Sequence, residues 1–428
     1  MTSPGTAHFG TPPAPPVIVR GARPGHPAGP LLEDLLSVAR RDNPRRQVLF
    51  VSKVLGKHLV VDAGLPVLAG MALGELVAAQ LDGNDGTQRF DAMEALANAT
   101  RTGRRVTVDE LAPPEAAASC VVLGFAETAT ALTHAVRRQL GRGPLGHTTR
   151  VDAGVPVLRA HEAHSHAVDH SVHHHDPGVL DHREPVVVVD DEFTTGATAL
   201  GLILEIQRRW PRPRYVLASL IDWRAPRRRQ ELVDALAAAG SRLDTVALID
   251  AEVDIAAAPP LPSSPRWPAT PAPTQPGPAP SVIDLSVGPP TARCGWSLAH
   301  QGEVDNRLAR AGEHMATRRH GAKALVLGLE ELMYVPMMLG VHLGGGTQTR
   351  STTRSPIVAG RARGYPIRDL VEFAPTDGST GRRFLYNLEG EHHDDVFVVS
   401  EPPHPPVDHP LFPHLSSIGD HVHLVRLS

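Results

Sequence analysis

Only two cysteines occur in 428 residues. Cys120 and Cys294 stand far apart, which excludes a disulfide framework and makes a reducing cytoplasm the expected compartment. Charge of one sign is scarce too: the net charge is −4 and the isoelectric point about 6.7. With no basic footprint, a nucleic-acid partner is not expected. No apolar run approaches the ~20 residues of a membrane span, so no membrane partner is expected. The amino terminus has Pro and Gly but no apolar core segment, and is not expected to be a signal peptide.

Proline, by contrast, is concentrated. Ten of the 22 residues from 259 to 280 are proline, a composition that favours an extended, semi-rigid linker. It divides the chain into an expected tail (1–28), a first domain (29–255), a linker (256–287) and a second domain (288–428). The first domain alternates β-branched runs with helical patterns. Expected strands are Val48–Val51, Val121–Gly124, Val186–Val189, Tyr215–Ile221 and Thr245–Ile249; expected helices are Leu31–Arg41, Pro66–Leu81, Thr128–Leu140, Ala197–Arg209 and Arg228–Ala239. These imply an α/β fold with a doubly wound, mainly parallel sheet.

The most informative stretch begins at Pro185. Val186 to Val189 make a buried strand, Asp190 and Asp191 follow at its carboxyl end, and Thr194-Thr195-Gly196-Ala197-Thr198 opens the next helix. Ligands of a parallel sheet sit at that end of the strands. The loop amides and helix N-terminus suit a dianionic phosphate, and neighbouring carboxylates repel each other unless something binds them. A phosphate site beside acceptors for sugar hydroxyls describes a ribose 5-phosphate pocket. The run resembles the phosphoribosyl-pyrophosphate signature of type I phosphoribosyltransferases.

Other segments acquire meaning beside it. Gly124-Phe125-Ala126-Glu127-Thr128 turns from an early strand into a helix, as the pyrophosphate loop of that family does; Glu127 departs from the pattern, because an acid repels pyrophosphate unless Mg²⁺ lies between. Arg150, after Thr148-Thr149, is a guanidinium suited to bidentate phosphate binding. Seven of the 15 residues from His161 to His175 are histidine, where the family has a closing flap; His164 and His166 are candidates to hold pyrophosphate or move a proton, and a transition-metal site is the other reading of the run. Lys53 and Lys57, in a loop near the start of the domain, and Asp222-Trp223, after a strand, are candidates for binding the base. A solvated basic turn and core packing of the Trp remain open beside them.

The two domains also share a repeat. Val122-Leu123-Gly124 matches Val326-Leu327-Gly328, and Thr148-Thr149-Arg150 matches Thr352-Thr353-Arg354, both at an offset of 204 (328 − 124 and 352 − 148). The second domain therefore reads as a related α/β unit, a degenerate copy whose strand Val396–Val399 runs into Ser400-Glu401-Pro402 with no phosphate loop. Glu330, Glu331, Tyr334, Thr353, Arg354 and Ser355 are candidates there for an acceptor or nucleotide site, with packing or dimerisation as the alternative.

Taken together, Ser52 to His58, Gly124 to Thr130, the His-rich run and Thr353-Arg354-Ser355-Pro356 resemble a bacterial branch of phosphoribosyltransferases that carries a carboxyl-terminal TRSP-motif domain and is known mainly from tellurite-resistance-type gene clusters. The resemblance implies transfer of ribose 5-phosphate from phosphoribosyl pyrophosphate to a nitrogenous base, or the reverse, in making a nucleotide-like metabolite. It implies Mg²⁺ at Asp190 and Asp191, bound through the ribose diol or water, and it leaves room for a homodimer. A non-catalytic nucleotide sensor and a metal-dependent hydrolase using the His-rich run are the rival readings.

Overall fold

A computed structural model of the chain describes residues 17–43, 48–83, 89–114, 118–149, 156–160, 170–255, 269–271, 277–288, 294–296 and 298–428. Among these residues the larger sheet has eight strands. From one edge to the other they are Val17–Pro24, Arg242–Ile255, Arg214–Asp222, Val186–Phe193, Val121–Gly124, Leu145–Thr149, His170–His173 and Leu158–Ala160. The five central strands run parallel. Alternate residues of the valine run face opposite layers: Val187 and Val189 pack with helices Leu65–Asp82 and Thr130–Leu140, while Val186 and Val188 pack with Ala197–Arg209 and Pro226–Ala238. Burial on both faces is what a continuous β-branched run demands. The Leu65–Asp82 helix is apolar nearly all round because it lies inside this core.

The smaller sheet is ordered Ser281–Leu285, Gly419–Leu427, His393–Ser400, Ala324–Gly328, Gln348–Ser351, Val61–Asp62. Its pairing repeats that of the larger sheet. Gly124 lies beside His147 and Val189, and Gly328 beside Ser351 and Val399. The Phe125 N–H donates to the Val189 carbonyl at 3.0 Å, as Leu329 N–H does to Val399. The Ala126 N–H donates to Thr148 Oγ1 at 2.9 Å, and the Glu330 N–H donates to Thr352 Oγ1 at 2.9 Å. Ser400 and Glu401 thus stand where Asp190 and Asp191 stand in the larger sheet.

Several expectations change. Residues 17–24 are not part of a tail; they form an edge strand antiparallel to Arg242–Ile255. Leu31–Arg41 is not one helix. A four-residue helix, Leu32–Leu35, passes straight into strand Leu36–Arg40, which pairs with Val48–Ser52; hydrogen bonding to a partner strand outweighs local helix propensity. The segment 256–287 contains strand Ser281–Leu285. The strand carrying the acids extends through them to Phe193 instead of ending at Val189. The two halves also interlock. Val61–Asp62 closes the edge of the smaller sheet, Trp296 pairs with Leu145, and one continuous core includes helices Tyr334–Leu343 and Leu298–Ala316 together with Leu65–Asp82.

Both repeated glycines leave no room for a side chain. A Cβ on Gly124 would sit 1.9 Å from Thr133 Oγ1, and one on Gly328 would sit 1.8 Å from the Leu332 carbonyl oxygen. Gly124→Ala and Gly328→Ala are each expected to cost about 1–3 kcal/mol. Urea unfolding of both variants measures this, and a loss below the resolution of that experiment would contradict the packing described.

Candidate active site

Parallel pairing brings three chain segments to one edge of the larger sheet. Asp190 lies beside Ser219 and one residue beyond the Val189–Gly124 pair, so the acids abut the turn that Gly124 begins. The Asp191 N–H donates to Asp190 Oδ1 at 2.9 Å. Burial, and next the Asp191 carboxylate, push Asp190 well above the usual carboxylate range. Glu192 makes a third consecutive acid and accepts the Trp223 indole N–H at 3.2 Å. These donors are all oxygens, and the crowded charge wants a cation, so the set fits a hard divalent ion such as Mg²⁺.

Thr194 and Thr195 are exposed, and Gly196 is buried with φ 73° as the cap of helix Ala197–Arg209. Glycine is required there twice over: the backbone is left-handed, and a Cβ would lie 2.7 Å from Leu232. Thr195 Oγ1 accepts the Ala197 N–H at 3.3 Å, and Thr198 is half-buried. The first turn of this helix follows the acids directly in the chain, and the N-terminal end of a helix is a place that favours anions.

Beneath Gly196 lies a residue that sequence reasoning missed. Arg224 is fully buried and donates from Nε and Nη2 to the two oxygens of Asp222 at 2.9 and 2.8 Å. Its Nη1 has no hydrogen-bond partner among the described residues and lies 3.5 Å from the position of a Cβ on Gly196. The clue was its place two residues after a strand end, but any Arg following a strand looks like a surface charge until its burial is known.

The base-binding candidates separate. Asp222 is taken up by Arg224 and, at 3.3 Å, by Arg229. Trp223 is buried, stacked on Phe50 with ring centroids 4.4 Å apart, which is the packing alternative. Lys53 Nζ donates to the Glu33 carbonyl oxygen at 2.6 Å. Lys57 is brought to the site: Nζ donates to Thr128 Oγ1 at 2.5 Å and lies 3.2 Å from Glu331 Oε1. It therefore ties the Gly124–Thr130 turn, in which the Ala126–Glu127 peptide is cis, to the second half. Its neighbour His58 is buried, and burial, followed by the Lys57 charge, lowers its pKa to about 3, leaving the ring neutral.

On the second half, Glu331 is buried and accepts from Thr353 Oγ1 at 2.9 Å and from the Arg354 N–H at 3.2 Å. Burial alone would raise its pKa; the Lys57 ammonium, the Arg354 N–H and guanidinium, and the Thr353 hydroxyl outweigh that and hold it at about 2. Glu330 is engaged by Thr376 and Arg383. The Ser355 carbonyl accepts the Tyr386 hydroxyl at 2.5 Å, which fixes the Thr353–Ser355 turn. Tyr334 is not at this surface: it is buried and stacked on His134, centroids 3.9 Å apart, in the shared core. A narrow cleft joins the halves, lined by Glu127 and Thr149 on one side and by Glu330, Arg354, Ser400 and Glu401 on the other. Arg150, His164 and His166 lie outside the described residues.

Residues 35–252 match a family described as phosphoribosyl transferase, and residues 290–412 match the TRSP domain found carboxyl-terminal to it. No curated protein matches. Among solved structures, similarity is found to adenine phosphoribosyltransferases. The Trypanosoma brucei protein, solved with AMP, pyrophosphate and ribose-5-phosphate, is 18% identical over 33% of this chain and 60% of that one, with a TM-score of 0.24. The Rhodothermus marinus protein is 16% identical over 50% and 95%, TM-score 0.29, and that from Leishmania tarentolae 14% over 54% and 94%, TM-score 0.31. The present chain thus spans less than two thirds of the first of these and nearly all of the other two.

Lys57→Met would leave Glu331 buried without its main counter-charge, at an expected cost of about 3–5 kcal/mol at neutral pH. Because the folded-state pKa of Glu331 is depressed, the pair's contribution is complete above 4.5 and lost as pH falls toward 2. The stability gap between wild type and Lys57→Met should therefore close on acidification through that window. A gap independent of pH in denaturant titrations would rule out this role for the pair.

Proposed function

The chain belongs to the phosphoribosyl transferase family, and from that premise we propose that it transfers ribose 5-phosphate from phosphoribosyl pyrophosphate to a nitrogen of a base at the strand-end edge that carries Asp190 and Asp191. One observation carries this reading: crowded carboxylates, an amide-lined helix N-terminus and the Gly124–Thr130 turn meet within one parallel edge. The amides of Thr194 to Thr198 would hold the 5-phosphate, with the Arg224 guanidinium beneath them adding positive potential. Asp190 and Asp191 would accept the ribose hydroxyls, and the turn from Gly124 through Phe125, Ala126 and Glu127 to Thr128 would face the pyrophosphate. Mg²⁺, held at Asp190 and Asp191 through the diol or water, would neutralise charge on the leaving group.

In the reaction the bond from C1 to the pyrophosphate oxygen breaks, the bond from C1 to nitrogen forms, and the nitrogen gives up its proton to water or to the departing pyrophosphate. Positive charge develops on the ribose ring as the leaving group departs, and the two aspartates are placed to stabilise it. Arg150, His164 and His166 are proposed to act on the pyrophosphate side. The cleft between the halves lies next to Glu127 and Thr149, so it is the proposed acceptor pocket, with Arg354 as its cation and Lys57 holding the two walls together. The matched register and the offset of 204 support descent of the second half from a copy of the first. Ser400 and Glu401 in place of the two aspartates, and prolines in place of the Thr-Thr-Gly loop, support its having lost the ribose phosphate site.

Replacing Asp190 and Asp191 together by Asn is expected to lower kcat by about 10²–10³-fold, measured as pyrophosphate release across candidate bases. Unchanged turnover would remove the assignment. Asp190→Asn alone should also stabilise the ligand-free protein at neutral pH. The raised folded-state pKa of Asp190 means that its ionisation costs stability as pH rises above 3.8, and Asn keeps the acceptor for the Asp191 N–H. Thermal unfolding at pH 4 and pH 7 reads this; an Asn variant less stable than wild type at both would contradict it.

A further inference from the structure

At the opposite end of the smaller sheet, three side chains with metal-ligating atoms converge. Asp395 lies near the start of strand His393–Ser400, His423 on the adjacent strand Gly419–Leu427, and His320 in the turn before Ala324–Gly328. His320 Nδ1 is 2.8 Å and His423 Nε2 3.0 Å from the same oxygen, Asp395 Oδ1. All the ligand atoms lie within 4.8 Å of one another. Asp395 is fully buried, His423 nearly so, and His320 half exposed.

The surroundings orient these atoms. Asp395 Oδ2 accepts the backbone N–H groups of His320 at 2.8 Å and Gly321 at 3.1 Å, which turns Oδ1 toward the two rings. The Ser281 hydroxyl lies 2.7 Å from His423 Nδ1, so Nε2 is the nitrogen that faces the carboxylate. Such an outer partner typically fixes the ring of a metal-bound histidine. A third imidazole, His421, stacks on His320 with centroids 3.7 Å apart. The backbone already satisfies one oxygen of this carboxylate, and two imidazoles converge on the other.

We propose that His320, Asp395 and His423 bind a divalent transition-metal ion of the zinc class. Two imidazole nitrogens and one carboxylate oxygen match borderline ions and disfavour Mg²⁺ or Ca²⁺. Ligand bonds of about 2.0–2.1 Å in a tetrahedron separate the donor atoms by about 3.3 Å, so the two histidine–carboxylate pairs need to open by a few tenths of an ångström, and the two ring nitrogens already lie within 4.8 Å of each other. The exposed side of His320 supplies an entry path and an open position for water. The ion would pin the two strands and the turn together, remote from the ribose phosphate edge. A second group, His392, Asp394 and Asp420, is more exposed and serves as the internal comparison.

The test uses full-length protein purified without a metal-affinity tag and stripped with chelator. His161, His164, His166 and His170 are replaced by Asn so that the His-rich run does not compete. Calorimetry with Zn²⁺ and visible absorption with Co²⁺ should show one ion per chain, with a rise in Tm on binding. His320→Ala, at a half-exposed position, and His423→Gln should abolish saturable binding; Ser281→Ala should weaken it about 10-fold; His392→Ala should leave it unchanged. No ion bound in the parent, or equal binding by His320→Ala and His392→Ala, would overturn the site and leave the triad a hydrogen-bonded network only.

Discussion

Parallel pairing in fixed register is the constraint on which everything else in this protein rests. It forces the carboxyl ends of neighbouring strands onto one edge, so residues 65 positions apart, Gly124 and Val189, become partners. The turn after one and the acids after the other then share a surface. The strand Val186–Phe193 itself carries the candidate acids Asp190 and Asp191, and the Gly124–Thr130 turn follows directly on its neighbour. The same constraint acts in the smaller sheet, where Gly328 and Val399 pair likewise but Ser400 and Glu401 follow.

The crowded acids are tolerated because their surroundings are built to receive positive charge. Burial and the neighbouring Asp191 carboxylate push Asp190 toward its protonated form, a cost to folding that the proposed ligand would relieve. Elsewhere the chain compensates buried charge internally. Asp222 has Arg224, Arg350 has Glu391, and Glu331 has Lys57. Asp190 has no counter-charge of this kind among the described residues. That difference, rather than burial itself, is what makes Asp190 a candidate site residue beside these structural ion pairs.

Lys57 joins the two halves. Its ammonium bridges Thr128 in the turn of one half and Glu331 in the corresponding turn of the other. A strand from the first half closes the smaller sheet, and Trp296 returns to the larger one. The cleft between the two edges is therefore framed by a shared core.

Much of this was legible in the residues themselves. The valine run, the two aspartates and the Thr-Thr-Gly turn are contiguous, and their alternation and spacing report local structure directly; helix Ala197–Arg209 and strand Val121–Gly124 fall where the pattern put them. The offset of 204 was likewise visible in two short matches. Long-range contact decided the rest. Leu31 to Arg41 reads as a helix until Val48–Ser52 is there to pair with it, and Trp223 reads as a ligand group until Phe50 stacks on it; Asp222 is engaged by a near neighbour, Arg224, whose burial only the fold reveals. Sequence alone determined which local chemistry was present; tertiary structure decided which charges are neutralised by partners hundreds of residues away, because proximity in three dimensions, not along the chain, sets electrostatic energy.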